Sequence, residues 1–438
     1  MKVNIIGGGL AGSECAYFLA ENGIEVNLYE MKPNSHSPAH KKDTLAEIVC
    51  SNSLKNEDIT TSSGLLKAEM ERFGSLILKI AKECRVPAGG ALAVNRDQFS
   101  ERVDSVIRNH KHINVIAKEI KDIKELPQDE ICVIATGPLT SSSLLSSIKS
   151  MLGDDSLYFF DASAPIVLAS SLDFTKCFKQ DRYSDIGEGD YLNAVITKEE
   201  YLNFYNELIN AETVELKDFE TSDVFEGCMP VEVMAKRGED ALRYGPLKPV
   251  GLNINPLGIK PYAVVQLRKE NIEEESYNLV GFQTNLKFGE QKRVLSLIPA
   301  LKDAEYLKYG VMHKNSFINS PKHLDDNFCL KSNPNIYFAG QLSGVEGYVE
   351  STASGLVVAI SILMRYNNKR LLLNNKTMLG ALTAYISNPA NANNFQPMNS
   401  NYGIMAGIDG KYKDKKVKRM AIYERAMAEI DKIMEELR

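Results

Sequence analysis

Gly7, Gly9 and Gly12 stand at G-x-G-x-x-G spacing in Gly7-Gly8-Gly9-Leu10-Ala11-Gly12, and Glu30 follows eighteen residues later. This pattern can hold a dinucleotide. Gly7 allows a tight turn, Gly9 lets the backbone approach a pyrophosphate, and Gly12 lets a helix pack on a strand. The pyrophosphate would then lie on the first helical amides, Leu10 and Ala11 included, where the helix dipole favours negative charge. Glu30 is placed to bind ribose hydroxyls. Two cysteines could do nucleophilic chemistry. Cys50 lies in the polar stretch Glu47–Lys55, and Cys228 lies in Phe225-Glu226-Gly227-Cys228-Met229-Pro230, with Lys236 and Arg237 close behind. A partly exposed thiol in an electropositive place can have a lowered pKa and attack an electrophile.

The elements that must position these residues are legible around them. Val3–Ile6 is a short apolar run, as a buried parallel strand requires. Ser13–Glu21 is helix-like and stops at Asn22-Gly23, and Glu25–Tyr29 makes a second strand ending at Glu30. Leu65–Cys84 and Gln98–Asn109 have helical spacing. Ile113–Lys118 and Glu130–Thr136 read as strands, the latter reaching Gly137-Pro138. This alternation predicts a Rossmann-type α/β domain over residues 1–180. From 181 to 301 the chain is rich in Tyr, Glu, Pro and Gly, with strand signals at Tyr262–Leu267 and Tyr277–Phe282, which predicts an inserted α+β domain. Residues 302–438 return to the first domain through Asn335–Gly340 and the helix Ser354–Met364, and end in an amphipathic helix, Lys418–Leu437.

Two later turns narrow the dinucleotide to FAD. Ala135-Thr136-Gly137 resembles the strand-ending turn of two-dinucleotide-fold flavoproteins. Phe338-Ala339-Gly340-Gln341 resembles their second FAD motif, with Gln341 where Asp is commoner.

Composition sets outer limits. The 438 residues carry a net charge of −6, which excludes a uniformly basic nucleic-acid binder but not a local basic patch. No stretch reaches about 18 uninterrupted apolar residues, and no signal-peptide pattern precedes the first strand. The seven cysteines are odd in number and contain no C-x-x-C pair, so neither a disulfide framework nor a metal site is expected. Cys15, Cys84, Cys132, Cys177 and Cys329 read as small core residues. A cytoplasmic protein with free thiols is expected.

Ile5–Glu14, Tyr29-Glu30-Met31-Lys32-Pro33, Glu47–Lys55, Pro87–Asp97, Phe225–Gly238, Arg243–Leu252 and Gly340–Gly355 together resemble the folate- and FAD-dependent tRNA uracil-5-methyltransferases. The resemblance implies an FAD domain interrupted by an insertion. It implies that methylenetetrahydrofolate supplies one carbon, that reduced FAD is both carbon carrier and reductant, and that NAD(P)H reduces the flavin. The acceptor would be the T-loop uridine of tRNA, methylated at C5. Cys228 would be the nucleophile that adds to C6 of uracil, and Cys50 the second thiol, near the flavin. Lys32, Gly347 and Tyr348 would join the cofactor site, Tyr348 as an aromatic residue near the flavin.

A tRNA substrate needs phosphate-binding charge. Six of the nine residues 411–419 are basic: Lys411, Lys413, Lys415, Lys416, Lys418 and Arg419. Lys236, Arg237, Arg243 and Lys248 form a looser group near Cys228. The same chemistry on a ribosomal RNA uridine and a general FAD/NAD(P)H oxidoreductase stay open. So do an FAD-dependent tRNA modifier of another type and a non-catalytic RNA-binding flavoprotein. Oligomeric state is not legible.

Overall fold

The computed structural model describes residues 2–153, 157–184, 189–215, 229–252, 258 and 261–437. Its main sheet has six strands, in the spatial order 329–330, 333–338, 131–134, 2–6, 25–30, 113–117. All pairings are parallel except that of Cys329–Leu330 with Asn333–Phe338. The central strand Lys2–Ile6 sets Ile5 beside both Leu28 and Val133. All three side chains are fully buried, as an apolar run covered on both faces must be.

The chain reverses its direction of travel across this sheet. It moves from Lys2–Ile6 to Glu25–Glu30 and Ile113–Ala117 on one side, then crosses to Ile131–Ile134 on the other. Parallel α/β sheets bind ligands at such a switch point, beyond the carboxyl ends of the strands. Gly7, Gly137 and Gly340 follow three neighbouring strands at that edge.

Two helices cover one another beneath the switch point. Leu10–Glu21 packs on Tyr348–Tyr366 so closely that a Cβ on Gly355 would fall 2.2 Å from the Ala11 carbonyl oxygen. Tyr348–Tyr366 is long and apolar enough to cross a membrane, but 83% of its apolar window is buried in the protein core. It also starts six residues before the stretch read from the sequence, so Tyr348 opens the helix and Gly347 caps it.

A second, antiparallel sheet has its own core. Its order is 177–179, 191–196, 263–269, 276–279, 166–168, 306–308. The helix Lys198–Ile209 sinks Tyr201, Phe204 and Leu208 into it, and a Thr197–Glu200 capping box holds its start. The sheet extends past the 181–301 bounds read from the sequence, because Ile166–Leu168, Cys177–Lys179 and Tyr306–Lys308 belong to it. These strands are three residues long, too short to carry a period. A ribbon of Leu157–Ala162 paired with Met312–Phe317 joins the two sheets.

The helical stretch expected over Leu65–Cys84 is two helices, Ser62–Arg72 and Leu76–Glu83. Gly74 turns left-handed at φ +78°, and the Ser75 hydroxyl accepts from Leu78 N–H. That break is encoded locally, by a glycine followed by a capping serine.

Candidate functional site

The glycine turn forms a cradle. Gly7 has φ +100°, and its N–H donates to the Tyr29 carbonyl at 2.8 Å. A Cβ on Gly12 would lie 1.9 Å from the Gly7 carbonyl oxygen, whereas a Cβ on Gly9 would meet nothing within 4 Å. The first two requirements are internal packing, and the third is room for a ligand. No side chain caps the helix that Gly9 begins, so its first amides face outward. Glu30 is nearly buried. One of its carboxylate oxygens accepts from Gly8 N–H at 2.7 Å, the other from Lys32 N–H at 3.1 Å.

These groups open onto a cavity of about 500 Å³. Gly7, Gly9, Leu10, Ala11, Glu30, Lys32, Gly137, Gly340, Gln341, Gly347, Tyr348 and Cys50 all line it. Gly8 and Gly12, also expected in the cofactor site, lie behind the wall: Gly8 anchors Glu30, and Gly12 packs on Gly7. The Lys32 ammonium turns to the Thr44 carbonyl. The Gln341 side-chain amide donates to Glu346. Gly347 is held at φ +114°, and a second helix without a side-chain cap points its N-terminus into the cavity. Two helix N-termini, a carboxylate at a strand end and an open glycine fit a dinucleotide such as FAD.

Cys50 sits across the cavity on an irregular loop gripped from three sides. The Tyr348 hydroxyl accepts the backbone N–H groups of Val49, Cys50 and Ser51 at 3.1, 2.8 and 3.4 Å. Arg96 Nη1 and Lys308 Nζ donate to the Val49 carbonyl at 3.1 and 2.6 Å. From the second sheet, Arg268 donates to Ser51 Oγ and Asn52 Oδ1, each at 2.8 Å. These bonds fix the backbone on both sides of the Cys50 side chain.

The thiol's surroundings do not lower its pKa. Burial pushes the Cys50 pKa up, and Asp161 and Glu346 add to the rise against Arg96 and Lys308. The resting group is a thiol. Glu346, nearly buried, is also pushed well up, first by burial and then by Asp161. Lys308 is drawn down to about 8, mainly by burial and then by Arg96. His40 and His313 line the cavity with lowered pKa values, burial again the main cause, so both imidazoles are neutral near pH 7.

Cys228 lies outside the described residues. Met229, the next residue, packs with Phe160 and Met312. Those two flank Asp161 and His313, which line the cavity from the ribbon. Val231 N–H donates to the carbonyl of Gln283, another lining residue, at 2.7 Å.

The basic groups fall on different parts of the fold. Lys236 and Arg237 are exposed just after the short helix Val231–Ala235 on the second core. Arg243 in the same group is committed elsewhere: it donates to Asp240 Oδ1 at 2.5 Å and lies 3.7 Å over the Tyr262 ring. Tyr244 beside it is 85% exposed. The C-terminal helix starts at Lys415, three residues before the expected start, so Lys415, Lys416, Lys418 and Arg419 occupy its opening turns. Cations at a helix N-terminus oppose the dipole. Arg419 stacks 4.8 Å from the Tyr402 ring centroid, and Asn399, three residues earlier, lines the cavity.

Sequence reading missed the residues that hold the Cys50 loop: Arg96, Arg268 and Lys308. Arg96 lay within a stretch singled out for resemblance, but neither spacing nor type pointed to Cys50. Its role arises from contacts between segments far apart in the chain.

Residues 2–370 match the family model described as "Glucose inhibited division protein A". The chain is 52% identical over 435 residues to the methylenetetrahydrofolate–tRNA-(uracil-5-)-methyltransferase TrmFO of Acetivibrio thermocellus, spanning 99% of this chain and 98% of that protein. It is also 52% identical over 436 residues to the enzyme of the same name from Natranaerobius thermophilus, spanning 99% of each. This chain belongs to the TrmFO family. As a member of that family it keeps the wider GidA architecture. A solved structure of Aquifex aeolicus GidA superposes with a TM-score of 0.69 at 13% identity, over 99% of this chain and 76% of that one. That likeness speaks for the shared fold alone, a Rossmann-type FAD-binding domain with an insertion.

Proposed function

We propose that this protein methylates uridine C5 in the T loop of tRNA, taking the carbon from methylenetetrahydrofolate. The observation that carries the reading is one cavity that joins a dinucleotide cradle, Gly7 to Gly12 with Glu30, to the loop of Cys50. Near-full-length relatives at 52% identity that carry the name of this activity support it. FAD bound in the cradle would supply the carbon carrier and the two electrons that take a methylene to a methyl group, with NAD(P)H restoring them. Glu30 would bind its ribose, and the amides after Gly9 and Gly347 its phosphate and ring edges.

Cys228 would add as thiolate to C6 of uracil. C5 of uracil is a poor nucleophile until that addition creates an enolate. Cys50 would work on the flavin side of the cavity. Its thiol needs deprotonation before it attacks, given its burial and the acids around it. The target base must leave its loop stack to reach both. Lys411, Lys413, Lys415, Lys416, Lys418 and Arg419, with Lys236 and Arg237, would carry the RNA phosphates. Four of them crowd the positive end of a helix at a cost to its stability, which favours a binding role over a merely solvated face. Such a reaction belongs in the cytoplasm, beside tRNA and reduced nicotinamide.

The decisive experiment supplies tRNA transcript, methylenetetrahydrofolate, FAD and NADPH anaerobically, then digests the RNA and locates 5-methyluridine. Modification of the T-loop uridine is expected. Modification of ribosomal RNA alone would move the substrate, and none in either RNA would leave the general oxidoreductase.

A further inference from the structure

The three amides that meet at Tyr348 give that residue a second role. Val49, Cys50 and Ser51 are consecutive, and their N–H groups converge on one phenol oxygen at 3.1, 2.8 and 3.4 Å. The loop has no regular structure that could satisfy those donors otherwise. A phenol oxygen is small and fixed at the end of a rigid ring, so it sets the path of all three residues together. The ring is itself fixed, because Tyr348 is the first residue of a 19-residue core helix and Gly347 before it holds a left-handed φ.

We propose that the Tyr348 hydroxyl is the positioning group for Cys50, a role separate from any contact its ring makes with the flavin. It organises the 49–51 backbone from below, while Arg96, Lys308 and Arg268 hold the flanking carbonyl and side chains. Cys50, which lines the cavity, is thereby carried on a backbone bonded on both sides. The inference rests on reading Cys50 as a working thiol, and its test therefore reads the thiol directly.

The test is Tyr348→Phe, which keeps the ring and deletes the acceptor. It is made in the full-length flavoprotein, once in the natural background and once with Cys228→Ser. In the second background Cys50 is the one described cysteine that is partly exposed. Its alkylation by iodoacetamide is followed against pH by peptide mass, beside flavin content and a thermal melt. With the hydroxyl gone, three N–H dipoles lose their acceptor beside the sulfur and the loop loosens. The pH midpoint of alkylation is expected to fall and the rate near neutral pH to rise. FAD content stays unchanged, and in the natural background kcat drops by at least about tenfold, since three donors lose one acceptor, with the KM for tRNA unchanged. An unaltered alkylation profile overturns the proposal. So does loss of FAD with normal alkylation, which would assign the hydroxyl to the flavin. If Tyr348→Phe proves unstable, Tyr348→His, which retains an acceptor on a ring, is expected to restore the natural profile in part, and failure to do so counts against the idea. Absence of 5-methyluridine from the natural enzyme would sink the proposed function and leave the alkylation result standing by itself.

Discussion

Arg96 grips Glu270 through two N–H···O bonds, 2.6 Å from Nε and 3.1 Å from Nη2, across the junction between the main sheet's layer and the second sheet. Both side chains are mostly buried, at 16% and 10% exposure. The third donor of Arg96 reaches the Val49 carbonyl, beside Cys50. One guanidinium thus couples the two halves of the fold to the reactive loop.

Removing one partner of such a pair leaves the other charge buried and uncompensated, at a cost of roughly 3–5 kcal/mol. Glu270→Gln and Arg96→Ala should each lower the melting temperature by several degrees. Arg96→Ala should lose more activity than Glu270→Gln, because it alone frees Val49. Equal losses of activity would show that the clamp acts on stability only.

The cradle glycines should separate by role. Gly12→Val should fail to fold, since its Cβ would overlap the Gly7 carbonyl. Gly9→Val should fold and lose flavin, since its side chain would enter the open space a ligand needs. Glu30→Ala should lower flavin affinity by about 1.5–3 kcal/mol, the worth of a charged hydrogen bond. Flavin absorbance after gel filtration and a far-ultraviolet melt check all three.

Acidity should stabilise this protein across the weakly acidic range. Glu69 is fully buried, and its oxygens accept from Met378 and Leu379 N–H at 2.7 and 2.8 Å. Burial raises its pKa to about 8, and burial raises that of Glu14 to about 7. Both lie above the unfolded value of about 4.3. The folded state therefore holds more protons between those limits, and stability present below the unfolded pKa is lost as pH rises through about 7–8. The melting temperature should fall from pH 5.5 to pH 8, and Glu69→Gln should flatten that slope. A slope unchanged by the substitution would assign it to other groups.

Charge at the C-terminal helix should trade stability against RNA affinity. Replacing Lys415, Lys416, Lys418 and Arg419 with Gln removes cations from the positive end of the helix dipole. The variant is expected to melt no lower than the natural protein. It should bind tRNA more weakly, with a shallower dependence on salt. Unchanged binding and salt slope would return the run to the role of a solvated surface.

Much of the molecule is legible in its sequence. The turn at Gly7–Gly12, the acid at Glu30 and the glycines after two more strands are local requirements. A left-handed φ, a close backbone approach or an alternating run each need particular residues in a row, so they leave a mark in sequence. The break at Gly74-Ser75 is equally local and was legible in principle. The early start of the helix at Tyr348 was hidden because Gly347 reads as an ordinary turn.

What only the tertiary structure decided is the state of Cys50. Its neighbours in sequence suggested nothing about Asp161, Glu346, Arg96 or Lys308, which come from four separate segments. A polar loop leaves room for an activated thiol, and the assembled site raises the pKa of Cys50 instead. Electrostatics in a buried site follow distance in space and the loss of water, neither of which is written along the chain. Residue types and spacing identified the dinucleotide turn and the two candidate thiols. Packing decided what the described one, Cys50, faces, and which tyrosine holds it there.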